Sequence, residues 1–284
     1  MTQICRLPDG RLHLQHGPID CLVRAWGEAS EIDAAYRQAS VAFAGVLPGL
    51  CTELPALRGA LPSVAPSGPI ARAMHRAVSP YAASFITPMA AVAGAVADHV
   101  LAALVRGRAL DRAFVNNGGD IAFYLAAGQS LRCGLVCDLA DPTLDGAFVL
   151  AAQHPARGLA TSGRACKGRG GRSFSFGIAD SVSVLAATAA QADAAATVIG
   201  NAVDVPGHRA IRRVPAFDID PDSDLGSRQV TWDVGQLSPI DIAAALDAGA
   251  DVADDLLEAG LILGAVLCLR GQRLVRAAHA LELA

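Results

Sequence analysis

The chain has 284 residues, 52% of them hydrophobic and 18% charged, with a formal net charge of -4 at pH 7. That apolar content supports a buried core in one or two domains and excludes a largely disordered chain. The acidic balance argues against nucleic acid as the main partner, since duplex readers carry a basic surplus, and residues 1–10 lack an apolar run of signal-peptide length, so a cytoplasmic location is expected.

Residues 11–16 and 19–26 read as a hairpin around Gly17-Pro18. A helix follows, capped by Ser30 with Asp33 at N3, with the apolar stripe Ile32, Ala35, Tyr36, Ala39 and Phe43, and ended by Pro48-Gly49. Residues 55–69 are rich in Pro, Ser and Gly and read as a loop before a short helix over 70–78. Pro88 opens the longest helix, through about Arg106. Within the apolar stretch 85–105, Pro88, Gly94, Asp98 and His99 favour a buried helix over a bilayer span, so no membrane partner is expected. His99 reads as a packed or surface histidine.

Phe114 and Val115 begin a strand that ends in the turn Asn116-Asn117-Gly118-Gly119-Asp120. Further strands are expected over 121–125, 131–136 and 148–152, then a second glycine-bearing turn, Gly158-Leu159-Ala160-Thr161-Ser162-Gly163. Asp180 and Ser181 precede a strand at Val182, Val184 and Leu185, which feeds an Ala-rich helix. Residues 204–235 form a poorly periodic excursion whose acidic run, 218–224, lacks the glycine and terminal Glu of an EF-hand and reads as a solvated loop. Ser238-Pro239 with Asp241 starts a helix reaching about Ala259, and residues 261–269 and 273–277 close the chain as a hairpin. This order of elements predicts an α+β fold with mostly antiparallel sheet. A single domain over 1–284 is expected, with parts consistent with two similar halves.

The seven cysteines, at 5, 21, 51, 133, 137, 166 and 268, form no CxxC or Cys/His cluster and read as free thiols in a reducing compartment. Cys133 and Cys137, four apart on a strand, are too separated to chelate one metal easily. Cys166 stands among Arg164, Lys167, Arg169 and Arg172, neighbours that lower a thiol pKa, although an ordinary loop cysteine fits there too. The run 167–172 fails the Walker A spacing and reads either as an anion-contacting loop or as a solvated turn.

Chemistry concentrates in Ala192-Asp193-Ala194-Ala195-Ala196-Thr197. Asp193 and Thr197 lie one helical turn apart and offer one charged and one neutral oxygen to a hard cation such as Mg2+. An Asp near a helix start and a Thr bonded back to a carbonyl give the same spacing, so the pair alone leaves both readings open.

Together, the Gly-Gly-Asp turn at 118–120, the Ala-Thr-Ser-Gly segment at 160–163 and the Asp193/Thr197 helix resemble the ApbE-like superfamily, whose founding members are FAD:protein FMN transferases. The resemblance spans roughly residues 84–203. It implies an ApbE-like, duplicated T-fold-like architecture in which these segments surround a flavin pyrophosphate and its magnesium. Asn117, Gly118, Gly119, Asp120, Thr161, Ser162 and Gly163 then become candidate cofactor-binding residues. Asp193 and Thr197, with a main-chain carbonyl near Val92, become candidate Mg2+ ligands. Asp120 equally fits a turn-fixing or capping role.

Two departures set the chain apart. Ala93 stands where the transferases carry a lysine, and the transferases' HxxDPxTG stretch is missing, the chain passing through residues 172–177 straight to Ala179. The combination looks like a sister group of the transferases, so the fold carries over better than the reaction. The resemblance implies a small-molecule partner, FAD, FMN, a pterin or a related heterocyclic nucleotide. FMN transfer to a protein acceptor, FAD pyrophosphatase activity, and an assembly protein with a degenerate pocket stand as alternatives, with no residue in view as a general base. The Ala-rich, weakly charged chain also fits a homodimer.

Overall fold

In the computed structural model, the described residues are 2–61, 64–137, 143–144, 146–163 and 174–277. The run 167–172 and Cys166 fall outside them.

The chain opens with strands β1 (Gln3–Arg6), β2 (Leu12–His16) and β3 (Ile19–Gly27). Helices α1 (Ala29–Ala44), α2 (Val46–Cys51), α3 (Leu54–Leu57) and α4 (Pro69–Val78) follow, and a 3-10 turn at Pro88–Ala91 leads into α5 (Val92–Val105). Strands β4 (Leu110–Asn117), β5 (Asp120–Leu125), β6 (Ser130–Leu135), β7 (Gly146–Ala151), β8 (Gly158–Ser162) and β9 (Ser181–Ala186) precede α6 (Ala189–Ala202). The chain continues through β10 (Ile211–Pro215), α7 (Ala216–Ile219), β11 (Gln229–Val234), α8 (Pro239–Glu258), β12 (Gly264–Leu269) and β13 (Gln272–Ala277). The architecture is α+β, and the paired strands β1 to β5, β5 with β8, β10 with β11 and β12 with β13 all run antiparallel.

The chain divides into two compact units. The first comprises Met1–Cys133, Val149–Ala160 and Leu185–Ala194, and the second Gly134–Phe148, Thr161–Val184 and Ala195–Ala284. In the first, β1 to β5 form a meander with β8 beside β5. Alternation places Cys21, Val23 and Ala25 of β3 and Ala113 and Val115 of β4 in the core. Helix α5 packs on β4 and β5 and against α1 and α4, and buries Gly94–Ala97, Val100 and Leu104. The stretch Pro88–Val105 is long and apolar enough to cross a membrane by length and composition, but here it is a core helix preceded by a 3-10 turn.

In the second unit every residue of β12 is buried, α8 lies against β12 and β13, and β10 and β11 form a separate hairpin. Arg213 ties that hairpin down through Asp204 at 2.6 Å and the Phe176 carbonyl at 3.3 Å. Helix α8 starts on a capping box. Ser238 Oγ accepts from the Asp241 N–H, and the Asp241 carboxylate accepts from the Ser238 N–H.

Several expectations change. Ser30 does not cap α1; the helix begins at Ala29 after Glu28, with no side-chain cap, because the turn is already held by backbone bonds from Glu31 and Ile32 to the Glu28 carbonyl. Pro48 and Gly49 do not end α1. They lie within α2, where a proline near a helix start sacrifices no internal hydrogen bond. Pro55 likewise sits in the first turn of α3 instead of in a loop. The helix opened by Pro88 is not the longest; α5 has 14 residues and α8 has 20. Residues 158–162 are a strand, not a turn. The supposed excursion over 204–235 contains the β10–β11 hairpin, whose register shift at Arg212/Arg213 breaks the simple alternation. Strand β1, exposed throughout, has no apolar pattern to announce it.

Candidate functional site

The Gly-Gly-Asp segment is the two-residue connection of the β4–β5 hairpin, with Asn117 paired to Asp120. Gly118 and Gly119 hold φ of +66° and +111°, the left-handed geometry that a primed hairpin turn demands and that side chains resist. Asn116 Oδ1 accepts the Gly119 N–H at 2.8 Å and closes the turn. Asn117 and Asp120 are buried, whereas Gly118 is exposed. Asn117 Nδ2 donates to the Ala93 carbonyl at 3.1 Å, which fastens the hairpin to the first turn of α5.

Asp193 meets that same turn. Its Oδ2 accepts the Gly94 N–H at 3.0 Å, one of the donors that a helix start leaves without an internal partner. Val92, the first residue of α5, belongs to this turn. Asp98, one turn further along α5, returns the arrangement, its two oxygens accepting from Ala189 N–H at 3.0 Å and Ala190 N–H at 2.9 Å at the start of α6. The helices can approach so closely because of Gly94: a Cβ there would lie 2.2 Å from the Ala189 carbonyl oxygen. Asn117, the Val92–Gly94 turn, Asp98 and Asp193 therefore form one cluster within the first unit.

Burial pushes the Asp98 carboxyl up to about 6 against the downward pull of the Ala190 and Ala189 N–H groups. Asp193 is also raised. Burial is the main cause and the Asp98 charge adds to it, opposed by the Gly94 and Ala93 N–H groups. Neither carboxylate has an ion-pair partner among the described residues.

The remaining candidates lie in the second unit. Thr161 Oγ1 is 2.7 Å from Ser183 Oγ. Gly163 ends β8 at φ +126°, where a Cβ would press on the Asp180 carbonyl oxygen and Ser181 Cα, each at 2.9 Å. Asp180 Oδ2 accepts the Arg270 N–H at 2.5 Å, and Ser181 Oγ donates to the Cys137 carbonyl at 3.1 Å, so both hold backbone in place. Thr197 sits on α6 one turn after Asp193, half-buried like Ser162. His99 is half-buried, and burial, then the Arg106 charge, lowers its pKa. The sequence reads Asp98 only as a mark of a buried helix and not as part of the site. Its signal is an acidic residue inside an apolar helix, which marks a buried carboxylate without naming its partner.

The architecture and this cluster define an α+β protein with two helix starts joined by carboxylates beside a glycine hairpin. A family model described as "AbpE bacteria" matches residues 4–275, and the chain belongs to that ApbE-like family. Similar curated proteins are archaeal and are called UPF0280 protein. The one from Methanosphaerula palustris is 34% identical over 174 residues, 60% of this chain and 68% of that protein. Those from Methanospirillum hungatei (31% over 153 residues, 54% of this chain) and Methanothermobacter thermautotrophicus (38% over 146 residues, 51% of this chain) are matched over 60% and 53% of their lengths. The matches thus span little more than half of some of these relatives. Among solved structures, the ApbE protein of Thermotoga maritima aligns over 90% of this chain and 77% of its own, at 13% identity and a TM-score of 0.36.

Proposed function

We propose that this protein binds a flavin-type or related heterocyclic nucleotide together with Mg2+, with Asp193 as the charged metal ligand. The observation that carries the reading is the Asp193/Asp98 pair, two carboxylates raised by burial with no cationic side chain among the described residues paired to balance them. A divalent cation would supply that balance.

The donor set suits Mg2+, a hard ion that takes oxygen ligands and is commonly held by one or two carboxylates with substrate phosphates completing its shell. Asp193 offers a carboxylate and Val92 a main-chain carbonyl in the turn that Asp193 already touches, and the family resemblance adds the Thr197 hydroxyl as a candidate ligand. When bound, the metal would neutralise pyrophosphate charge. The chain's own contribution is to hold Asp193 against the α5 start and to present Gly118 and Gly119 without a Cβ, so that a phosphate can approach the turn closely. The family resemblance also assigns nucleotide contacts to Asn117, Asp120, Thr161, Ser162 and Gly163. Of these, Asn117 and Thr161 already have polar partners that fix their side chains.

Nucleotide binding fits this chain better than FMN transfer, because Ala93 supplies no cation where the transferases have lysine. The setting is a reducing cytoplasm. Native mass spectrometry of the protein purified without added cofactor, then after incubation with FAD and MgCl2, tests the reading. A mass increment equal to a flavin nucleotide supports it. Protein that stays at the bare chain mass in both samples, and with FMN or a pterin, overturns it.

A further inference from the structure

A second cluster of reactive groups lies on the first three strands, apart from the Asp193 cluster. Cys5 on β1 is directly opposite His13 on β2, and His13 is opposite Leu22 on β3. Asp20 precedes Leu22 by two residues, so strand alternation puts Cys5, His13 and Asp20 on one face of the sheet. The side chains meet in sequence, with Cys5 Sγ 3.9 Å from His13 Nδ1 and His13 Nε2 2.9 Å from Asp20 Oδ1. An ionised Asp20 can only accept, so Nε2 carries the ring proton of neutral His13, and the Nδ1 lone pair faces the thiol.

The two partners contact opposite nitrogens of the ring, which rules out one metal ion chelated by all three and leaves the relay order of thiol, base and orienting carboxylate. Cys5 is exposed, on a strand whose four residues are all exposed. Attack at this open edge needs little room, which suits a small electrophile.

We propose that Cys5 is a site of thiol–disulfide exchange with low-molecular-weight disulfides, with His13 as its base and Asp20 as the residue that positions the base. The Cys5 proton passes to His13 Nδ1. The Cys5 sulfur forms a bond to one sulfur of the disulfide, that disulfide bond breaks, and the other sulfur leaves as a thiolate, which takes the proton back from His13. Cys5 ends as a mixed disulfide, and one thiol is released.

The molecule carries its own control. Cys51 is also exposed, and among the described residues no histidine or carboxylate is hydrogen-bonded to it. Cys21 and Cys133 are buried, with thiols pushed by burial to about 12 and about 11, and they stay silent while the fold is intact. The test exposes the full chain to oxidised glutathione at pH 7 and follows each cysteine by peptide mass mapping. Cys5 is expected to be modified about tenfold faster than Cys51. His13→Gln should bring Cys5 down to the Cys51 rate, Asp20→Asn should lower the ratio part of the way, and neither should change Cys51. Equal rates at Cys5 and Cys51 in the unsubstituted protein, or a ratio unmoved by His13→Gln, overturns the proposal. If His13→Gln exposes Cys21 and Cys133, the exposed Asp20→Asn decides instead: a fallen ratio supports the proposal and an unchanged one refutes it.

Discussion

Asp98 and Asp193 cap each other's helices. Asp193, on α6, accepts a hydrogen bond from Gly94 in the first turn of α5, and Asp98, on α5, accepts two from Ala189 and Ala190 in the first turn of α6. Each carboxylate satisfies backbone donors that its partner helix cannot, and each lies at the positive end of that helix. The exchange holds α5 and α6 in register, so the geometry of Asp193 depends on Asp98.

Asp98→Ala leaves two helix-start donors without acceptors and should cost about 1 to 2 kcal/mol of stability. Asp98→Asn keeps an acceptor oxygen and sheds a charge that burial disfavours, so its loss at pH 7 should be smaller than that of Asp98→Ala. Urea denaturation of the three proteins checks this order.

Gly94→Ala tests the close approach of the helices. A Cβ at 2.2 Å from the Ala189 carbonyl oxygen meets backbone that cannot swing aside, and a loss of about 3 kcal/mol is expected. The control is Gly49→Ala in α2, where nothing lies within 4 Å of the added carbon. There the helix should be unchanged or gain about 0.5 to 1 kcal/mol. Similar midpoints for the two variants in chemical denaturation would contradict the packing described.

Stability should also carry the mark of Asp98 between pH 4 and pH 6 in metal-free protein. Its ordinary pKa of 3.8 rises to about 6 on folding, so over this interval the folded chain binds more protons than the unfolded chain. The stability it contributes is therefore complete below about pH 4 and is lost as pH rises through about 6. Asp193 is raised too, and acts with the same sign. The difference in urea midpoint between Asp98→Asn and the parent should shift in favour of the variant from pH 4 to pH 6, and a constant difference would contradict the assignment.

Local order was legible wherever a strong pattern stood alone. The Gly17 hairpin, the Ala35, Tyr36, Ala39 and Phe43 stripe, the Ser238 capping box and the closing hairpin follow from alternation, helical spacing and turn chemistry. The glycine hairpin at 118–119 was visible because two consecutive positive φ values need those residues. Ser30 misled because a capping residue competes with an adjacent start that backbone bonds already satisfy. The 158–163 segment looks like a turn because Thr161, Ser162 and its two glycines are turn formers, yet its pairing with β5 decides. The link between Asp98 and Asp193 could not be read from the chain. The two are 95 positions apart, and only the packing of α5 on α6, permitted by Gly94, brings each to the other's helix start.

The most direct measurement is isothermal titration of FAD into the full chain in the presence and absence of MgCl2, repeated with Asp193→Asn. Asparagine retains an acceptor for the Gly94 N–H and removes the charge, so the helix contact survives while the metal ligand is weakened. The account predicts FAD binding that requires Mg2+ in the parent and falls at least tenfold in Asp193→Asn, with circular dichroism and thermal midpoint little changed. FAD affinity that is the same with and without Mg2+, or the same in the parent and in Asp193→Asn, would contradict it.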